Sequence, residues 1–77
     1  MKFSMGDAVM ICRNAQFNQD NLPQVQSRWE MTRDLRMVGT VEDIVILESG
    51  TMCIITKFKT GDWCFWNEDD LEHTGDN

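Results

Sequence analysis

Cationic side chains are scarce in this chain of 77 residues: seven Lys and Arg stand against thirteen Asp and Glu, for a net charge of −6. That balance excludes an ordinary nucleic-acid surface, which draws its affinity from neutralising phosphates. Histidine occurs once, as His73 near the end of the chain. It has no cysteine or serine at motif spacing, so a nucleophile with a base partner is not indicated. A glycine-rich phosphate loop and a histidine pair for zinc are both missing, as is the twelve-residue calcium-loop pattern around Asp69, Asp70 and Glu72. The composition therefore predicts a protein that is not an enzyme and carries no cofactor and no metal.

The three cysteines, Cys12, Cys53 and Cys64, are odd in number and contain no Cys-x-x-Cys, which indicates neither a disulfide framework nor a zinc knuckle. Each lies in a short apolar run, where a free thiol behaves as a small buried hydrophobe. Three structural thiols are expected, and with them a reducing, cytoplasmic setting. The N-terminal Met1-Lys2-Phe3-Ser4-Met5-Gly6 lacks the apolar core of a signal peptide. No run approaches the roughly 18 apolar residues of a membrane span, so no membrane association is expected.

What the chain does contain is 42% hydrophobic residues, enough for one small domain over 1–77 with a core at about 5–73 and a flexible tail at 74–77. Gly6-Asp7 followed by Ala8-Val9-Met10-Ile11-Cys12 reads as a turn and a strand, its continuous apolar character predicting burial on both sides or at a barrel seam. Residues 13–28 form a long polar loop in which seven of sixteen residues are Asn or Gln; such loops are either functional or mobile. Ser27-Arg28-Trp29-Glu30 has the form of a capping box, and Met31, Leu35 and Val38 fall at i, i+4 and i+7. Together they predict a short helix over about 28–36 with that stripe facing the core.

From Gly39 onward the pattern is β. Thr40-Val41-Glu42-Asp43-Ile44-Val45-Ile46-Leu47 and Thr51-Met52-Cys53-Ile54-Ile55-Thr56-Lys57-Phe58 flank a turn at Glu48-Ser49-Gly50. A second turn at Lys59-Thr60-Gly61-Asp62 leads into Trp63-Cys64-Phe65-Trp66. Asn67 then caps one tight turn through Glu68, Asp69 and Asp70, Leu71 closes that turn against the core, and a short strand follows at Glu72 and His73. The fold class is mainly β, a small barrel of four to five antiparallel strands whose long first loop contains one short helix.

This order of elements resembles Src-homology-3-like barrels. The chain resembles more particularly the repeats of the Mind bomb ubiquitin ligases, through Gly6-Asp7-Ala8-Val9, Trp29 with Met31, Gly39-Thr40-Val41, and Cys64-Phe65-Trp66 running through Asp69-Asp70-Leu71. The resemblance covers roughly residues 5–73. It implies a non-enzymatic module that grips an extended peptide.

Charge and aromatics point to where a partner would sit. Residues 1–38 carry five Lys and Arg against four Asp and Glu, whereas 39–77 carry two against nine. In Trp63-Cys64-Phe65-Trp66 alternate side chains face opposite ways, so one pair fills the interior and the other lies outside unless the 13–28 loop covers it. The candidate binding residues are Trp29, Trp63 and Phe65 with an acidic rim of Glu68, Asp69 and Asp70, matched to a basic or extended peptide. The protein is expected as a monomer or weak homodimer, without direct nucleic-acid binding. A second function is also consistent with the charge. Read as a complete, very small acidic reading frame starting at Met1, of the kind phages and mobile elements encode, the chain would inhibit a host nucleic-acid-binding factor by presenting carboxylates in place of phosphates.

Overall fold

Branched residues alternating along the second half of the chain form the strands, and the turn residues between them form the corners. The computed structural model describes residues 2–18 and 23–75. Its elements are β1 (Ala8–Ile11), α1 (Pro23–Asp34), β2 (Gly39–Ile46), β3 (Met52–Phe58), β4 (Gly61–Phe65), a single 3₁₀ turn (Glu68–Asp70) and β5 (Leu71–His73). The five strands make one antiparallel sheet in the order β4-β3-β2-β1-β5. No pairing joins β4 to β5, so the sheet is open.

The core lies on one face of that sheet and beneath α1: Phe3, Val9, Ile11, Val41, Ile54, Phe58, Phe65 and Leu71, with Ala15 and Trp29 from the first connection. β2 changes role along its length. Thr40 and Gly39 pair with Ala8 and Val9 of β1, while β3 pairs with β2 from Thr40 through Ile46, interrupted by a bulge between Val41 and Asp43. The 3₁₀ turn is fastened to β1, because the Cys12 amide donates to the Asp70 carbonyl at 2.8 Å. Asn67 caps it as the sequence predicts, its Oδ1 accepting from the Asp69 amide at 2.9 Å.

Four expectations need correction. β1 is not buried on both sides, since Val9 and Ile11 are buried while Ala8 is exposed and Met10 half-buried. The helix runs Pro23–Asp34 rather than 28–36, so the last third of the expected polar loop is helical; the 19–22 part of that loop and the 76–77 part of the expected tail lie outside the described residues. Pro23 takes the first helical position, where its missing N–H costs nothing. Ser27 therefore sits inside the helix, and the Glu30 carboxylate accepts from Gln26 Nε2 at 3.2 Å instead of closing a capping box.

The helix also presents a different face. Met31 is exposed, as are Leu35 and Val38, which lie beyond the helix end, and the buried helical residues are Trp29 and Thr32. Thr32 is tolerated in the core because its hydroxyl is satisfied: it donates to the Arg28 carbonyl at 2.8 Å and is bonded to the Thr60 hydroxyl. The helix stops at a two-bond C-terminal motif, in which the Met37 amide donates to the Thr32 carbonyl and the Arg36 amide to the Arg33 carbonyl. Arg36 adopts the left-handed conformation, φ 54°. Its guanidinium then bonds the Ile11 carbonyl at 2.9 Å and the Glu72 carboxylate, tying the helix end to β1 and β5.

The fourth correction concerns the thiols. Cys53 and Cys64 form a disulfide between β3 and β4, with Cα atoms 6.1 Å apart. Cys64 pairs across from Ile55, which places Cys53 on the same face of the sheet, one step along the diagonal. That neighbourhood depends on strand register and leaves no mark in the spacing of eleven residues. Only Cys12 is a free thiol; burial, and then the nearby Glu72 carboxylate, push it above the usual thiol range. With two of the three sulfurs joined, cysteine usage no longer argues for a reducing compartment. Among the described residues no helix is long and apolar enough to cross a membrane.

Gly39 shows how tightly the inner face is packed. A Cβ there would meet three atoms of the Phe58 ring at 2.6–2.8 Å, and that ring is itself buried. Gly39→Ala is expected to lower unfolding free energy by about 1–3 kcal/mol through overpacking, measured by urea denaturation followed at the tryptophans; an unchanged midpoint would mean the ring moves freely.

Candidate functional site

The site begins with the phase of β4. Phe65 pairs across from Ile54 and Trp63 from Thr56, both buried residues of β3, so Trp63 and Phe65 point inward with them. Cys64 and Trp66 take the other face. The alternation inferred from sequence is therefore present, and the structure identifies the outer pair as Cys64 and Trp66. Phe65 is 4% exposed and Trp66 53%. Phe65 also packs edge-on against Phe58, with ring centroids 6.5 Å apart.

A cleft of about 240 Å³ opens beside this strand. Trp29, Trp63, Phe65 and Trp66 line it together with Asp70 and the 16–18 part of the first connection. Four of the six candidate residues thus converge: Trp29, Trp63, Phe65 and Asp70. Glu68 and Asp69 belong to the adjoining 3₁₀ turn and are not part of the lining. Two of the aromatics are in a different position from the one expected of surface anchors. Trp29, 5% exposed, and Phe65 form the floor of the cleft from within the core, because each supplies apolar area that a domain of this size needs for its own stability. The exposed aromatic is Trp66, which is not among the residues selected from sequence. Its signal was the same period-two alternation, which leaves Trp66 outside as soon as Phe65 is assigned to the core.

The connection before α1 builds one wall. Phe17 packs on Trp29 with ring centroids 5.6 Å apart, and the Arg33 guanidinium lies over the Trp29 ring at 5.6 Å while its Nη1 donates to the Ala15 carbonyl at 2.9 Å. The described part of the polar connection therefore covers Trp29. Arg28 lies over the Trp63 ring at 5.7 Å, so one face of that indole already has a cation. A volume of about 240 Å³ is below the roughly 300–1,000 Å³ of small-molecule sites and suits one or two side chains of a peptide.

The polar groups are incompletely matched. Trp63 Nε1 and Glu68 Oε2 are buried without a hydrogen-bond partner among the described residues, leaving one donor and one acceptor unmet where native structures rarely leave either. Burial, and then the adjacent Asp69 carboxylate, push the Asp70 carboxyl above its usual range. Among the described residues the Asp69 carboxylate is held only by a long surface pair with Lys2, 3.5 Å, a contact of small energetic worth. The single histidine is engaged elsewhere: its Nε2 lies 3.0 Å from Asp7 Oδ2 and its ring against Phe3. Among the described residues no three His, Cys, Asp or Glu side chains gather as metal ligands would.

Comparison with protein-family models, curated proteins and solved structures finds no match to this chain.

The environment of Asp70 sets a pH dependence. A carboxyl whose folded-state pKa is raised destabilises the fold once it ionises, and that penalty disappears as pH falls below the unfolded-state value of about 3.9. Asp70→Asn is therefore expected to raise the urea midpoint near neutral pH. The gain should shrink as the parent protein protonates on acidification; a gain that is constant with pH would assign the effect to something other than the charge.

Proposed function

We propose that the chain is a non-enzymatic protein-interaction module of the Src-homology-3-like small-barrel type, which holds an extended peptide carrying Lys or Arg. Trp66 is the outer anchor, Trp29, Trp63 and Phe65 form the floor on which a peptide side chain rests, and Glu68, Asp69 and Asp70 form the acidic rim. The observation that carries this reading is the half-exposed Trp66 at the lip of an aromatic-floored cleft, next to three consecutive carboxylates. Large aromatics with a desolvated pocket beside them are the usual energetic centres of interfaces. The barrel-type assignment is supported by the strand order β4-β3-β2-β1-β5, by the long first connection, and by the 3₁₀ turn just before the last strand. The proposed kinship with the Mind bomb repeats rests on the short sequence motifs Gly6-Asp7-Ala8-Val9, Gly39-Thr40-Val41 and Asp69-Asp70-Leu71.

The partner's charge follows from the site's own cations. Arg28 and Arg33 already lie over Trp63 and Trp29, so a basic peptide side chain is directed to the 3₁₀ carboxylates, and the apolar part of the peptide to Trp66. Such a site loses little affinity with salt, because its anchor is apolar. The second function, a carboxylate mimic of nucleic-acid phosphates, predicts a steep loss between low and moderate ionic strength.

An amide-shift titration with short peptides, with and without Lys and Arg, tests the proposal. Peptides with basic residues are expected to move the amides of residues 62–71, and Trp66→Ala to weaken their binding at least about tenfold while shifting stability by no more than about 0.5 kcal/mol. If no peptide perturbs those amides, or if Trp66→Ala leaves affinity unchanged, the module reading fails.

A further inference from the structure

β2 is paired unequally along its two edges. Beyond Thr40 its ladder with β1 ends, whereas residues 43–46 remain paired with β3. Among the described residues no strand lies on the other edge of that stretch. The hairpin bonds say which backbone groups face it. The Leu47 amide donates to the Thr51 carbonyl at 2.9 Å, and hydrogen-bonded pairs alternate with non-bonded ones along an antiparallel ladder. With Val45 opposite Cys53 and Asp43 opposite Ile55, those residues direct their amides and carbonyls to β3, and Ile44 and Ile46 direct theirs outward. The Ile44 amide is met locally by Asp43 Oδ1 at 2.8 Å. The Ile44 carbonyl and both main-chain groups of Ile46 face the open side.

That side is apolar. Ile46 is 64% exposed, Leu47 40% and Val45 37%. A groove of about 350 Å³ runs beside it, lined by Phe3, Ser4, Met5, Asp43, Ile44 and Ile46, and it shares no residue with the cleft at β4. Edges of this kind are ordinarily blunted by Lys or Pro. Residues 42–48 contain neither, and carry Glu42, Asp43 and Glu48 around four apolar residues.

Charge selects the occupant. A second copy paired antiparallel about Val45 would set Glu42 of one chain opposite Glu48 of the other, and like charges directly opposite are destabilising. We infer that the open edge of β2, residues 44–47, is a strand-addition site for an extended segment of another protein, with branched apolar residues in its middle and Lys or Arg at its ends. The Ile44 carbonyl and the main-chain groups of Ile46 pair with the incoming strand, its apolar side chains rest on Ile46 and in the groove, and its cations meet Glu42, Asp43 and Glu48.

The test uses the full chain and a fluorescein-labelled peptide, Lys-Val-Thr-Val-Thr-Val-Lys, with a control in which Glu replaces both Lys, followed by anisotropy. The Lys peptide is expected to bind at least tenfold more tightly than the Glu peptide. Ile46→Pro removes an amide that points away from β3, and is expected to weaken binding more than tenfold with the circular dichroism unchanged. Equal affinity for the two peptides, or full binding to a folded Ile46→Pro protein, overturns the inference. If Ile46→Pro does not fold, Asp43→Lys with Glu48→Lys decides: the preference must invert to the Glu peptide, and an unchanged preference overturns it. In an amide-shift titration the Lys peptide is expected to move residues 43–47, and shifts confined to residues 62–71 would place the peptide in the β4 cleft and overturn the inference. Sedimentation showing a dimer without peptide binding would assign the edge to a second copy instead.

Discussion

The contact between Phe58 and Phe65 governs the rest of this molecule. Phe58 is accommodated because β2 begins with a glycine, whose missing Cβ leaves the space the ring occupies. Phe65 meets that ring edge-on from β4, the strand paired directly with β3. Once Phe65 is turned inward, the two-residue period of a strand leaves no freedom: Trp63 follows it in, and Cys64 and Trp66 go out. The outer position of Cys64 puts it on the face it shares with Cys53, and the outer position of Trp66 leaves a large indole at the lip of a cleft. One packing choice in the core thus sets the disulfide and the exposed Trp66 indole together.

The acidic half of the chain acquires meaning from the same geometry. Nine carboxylates lie after residue 38, and six of them fall at two places on the sheet that differ in what they flank. At one edge of the sheet, Glu68, Asp69 and Asp70 form the turn that follows the β4 aromatics. Near the β2–β3 hairpin, Glu42, Asp43 and Glu48 bracket apolar residues whose outward main-chain groups face no neighbour among the described residues. Both places pair an apolar surface with negative charge, which is the basis for proposing at each a partner that brings cations with apolar residues. Coulomb attraction at exposed positions steers and selects, and the apolar contacts supply the holding energy.

Legibility in the sequence tracked how local each feature is. The β2–β3 hairpin could be read from branched residues on either side of Ser49-Gly50, where Gly50 takes φ 87° at the corner, and the 3₁₀ turn from Asn67. The spacing of Met31, Leu35 and Val38 misplaces the helix, which ends at Asp34 before Leu35 and Val38 and leaves Met31 exposed. Trp29 and a threonine occupy the core instead, and Thr32 is acceptable there only because Arg28 and Thr60 satisfy its hydroxyl, a circumstance spread over residues 28 to 60. The candidate site was legible as a set of aromatics near carboxylates, and four of the six residues chosen do converge, but Phe65 and Trp29 serve as floor and Trp66 as lip.

By itself the sequence determined that the protein is a small, acidic, mainly β chain with strands, corners and a carboxylate-rich turn in a definite order, because alternation, turn residues and caps act over a few neighbouring positions. Only the tertiary structure decided which face of β4 turns inward, which side of α1 is buried, that Cys53 meets Cys64, and that part of β2 is left with an open edge. Each of those depends on register between strands or on contacts between distant residues, and the free energy that chooses among the alternatives is the burial of a shared core, which no single segment contains.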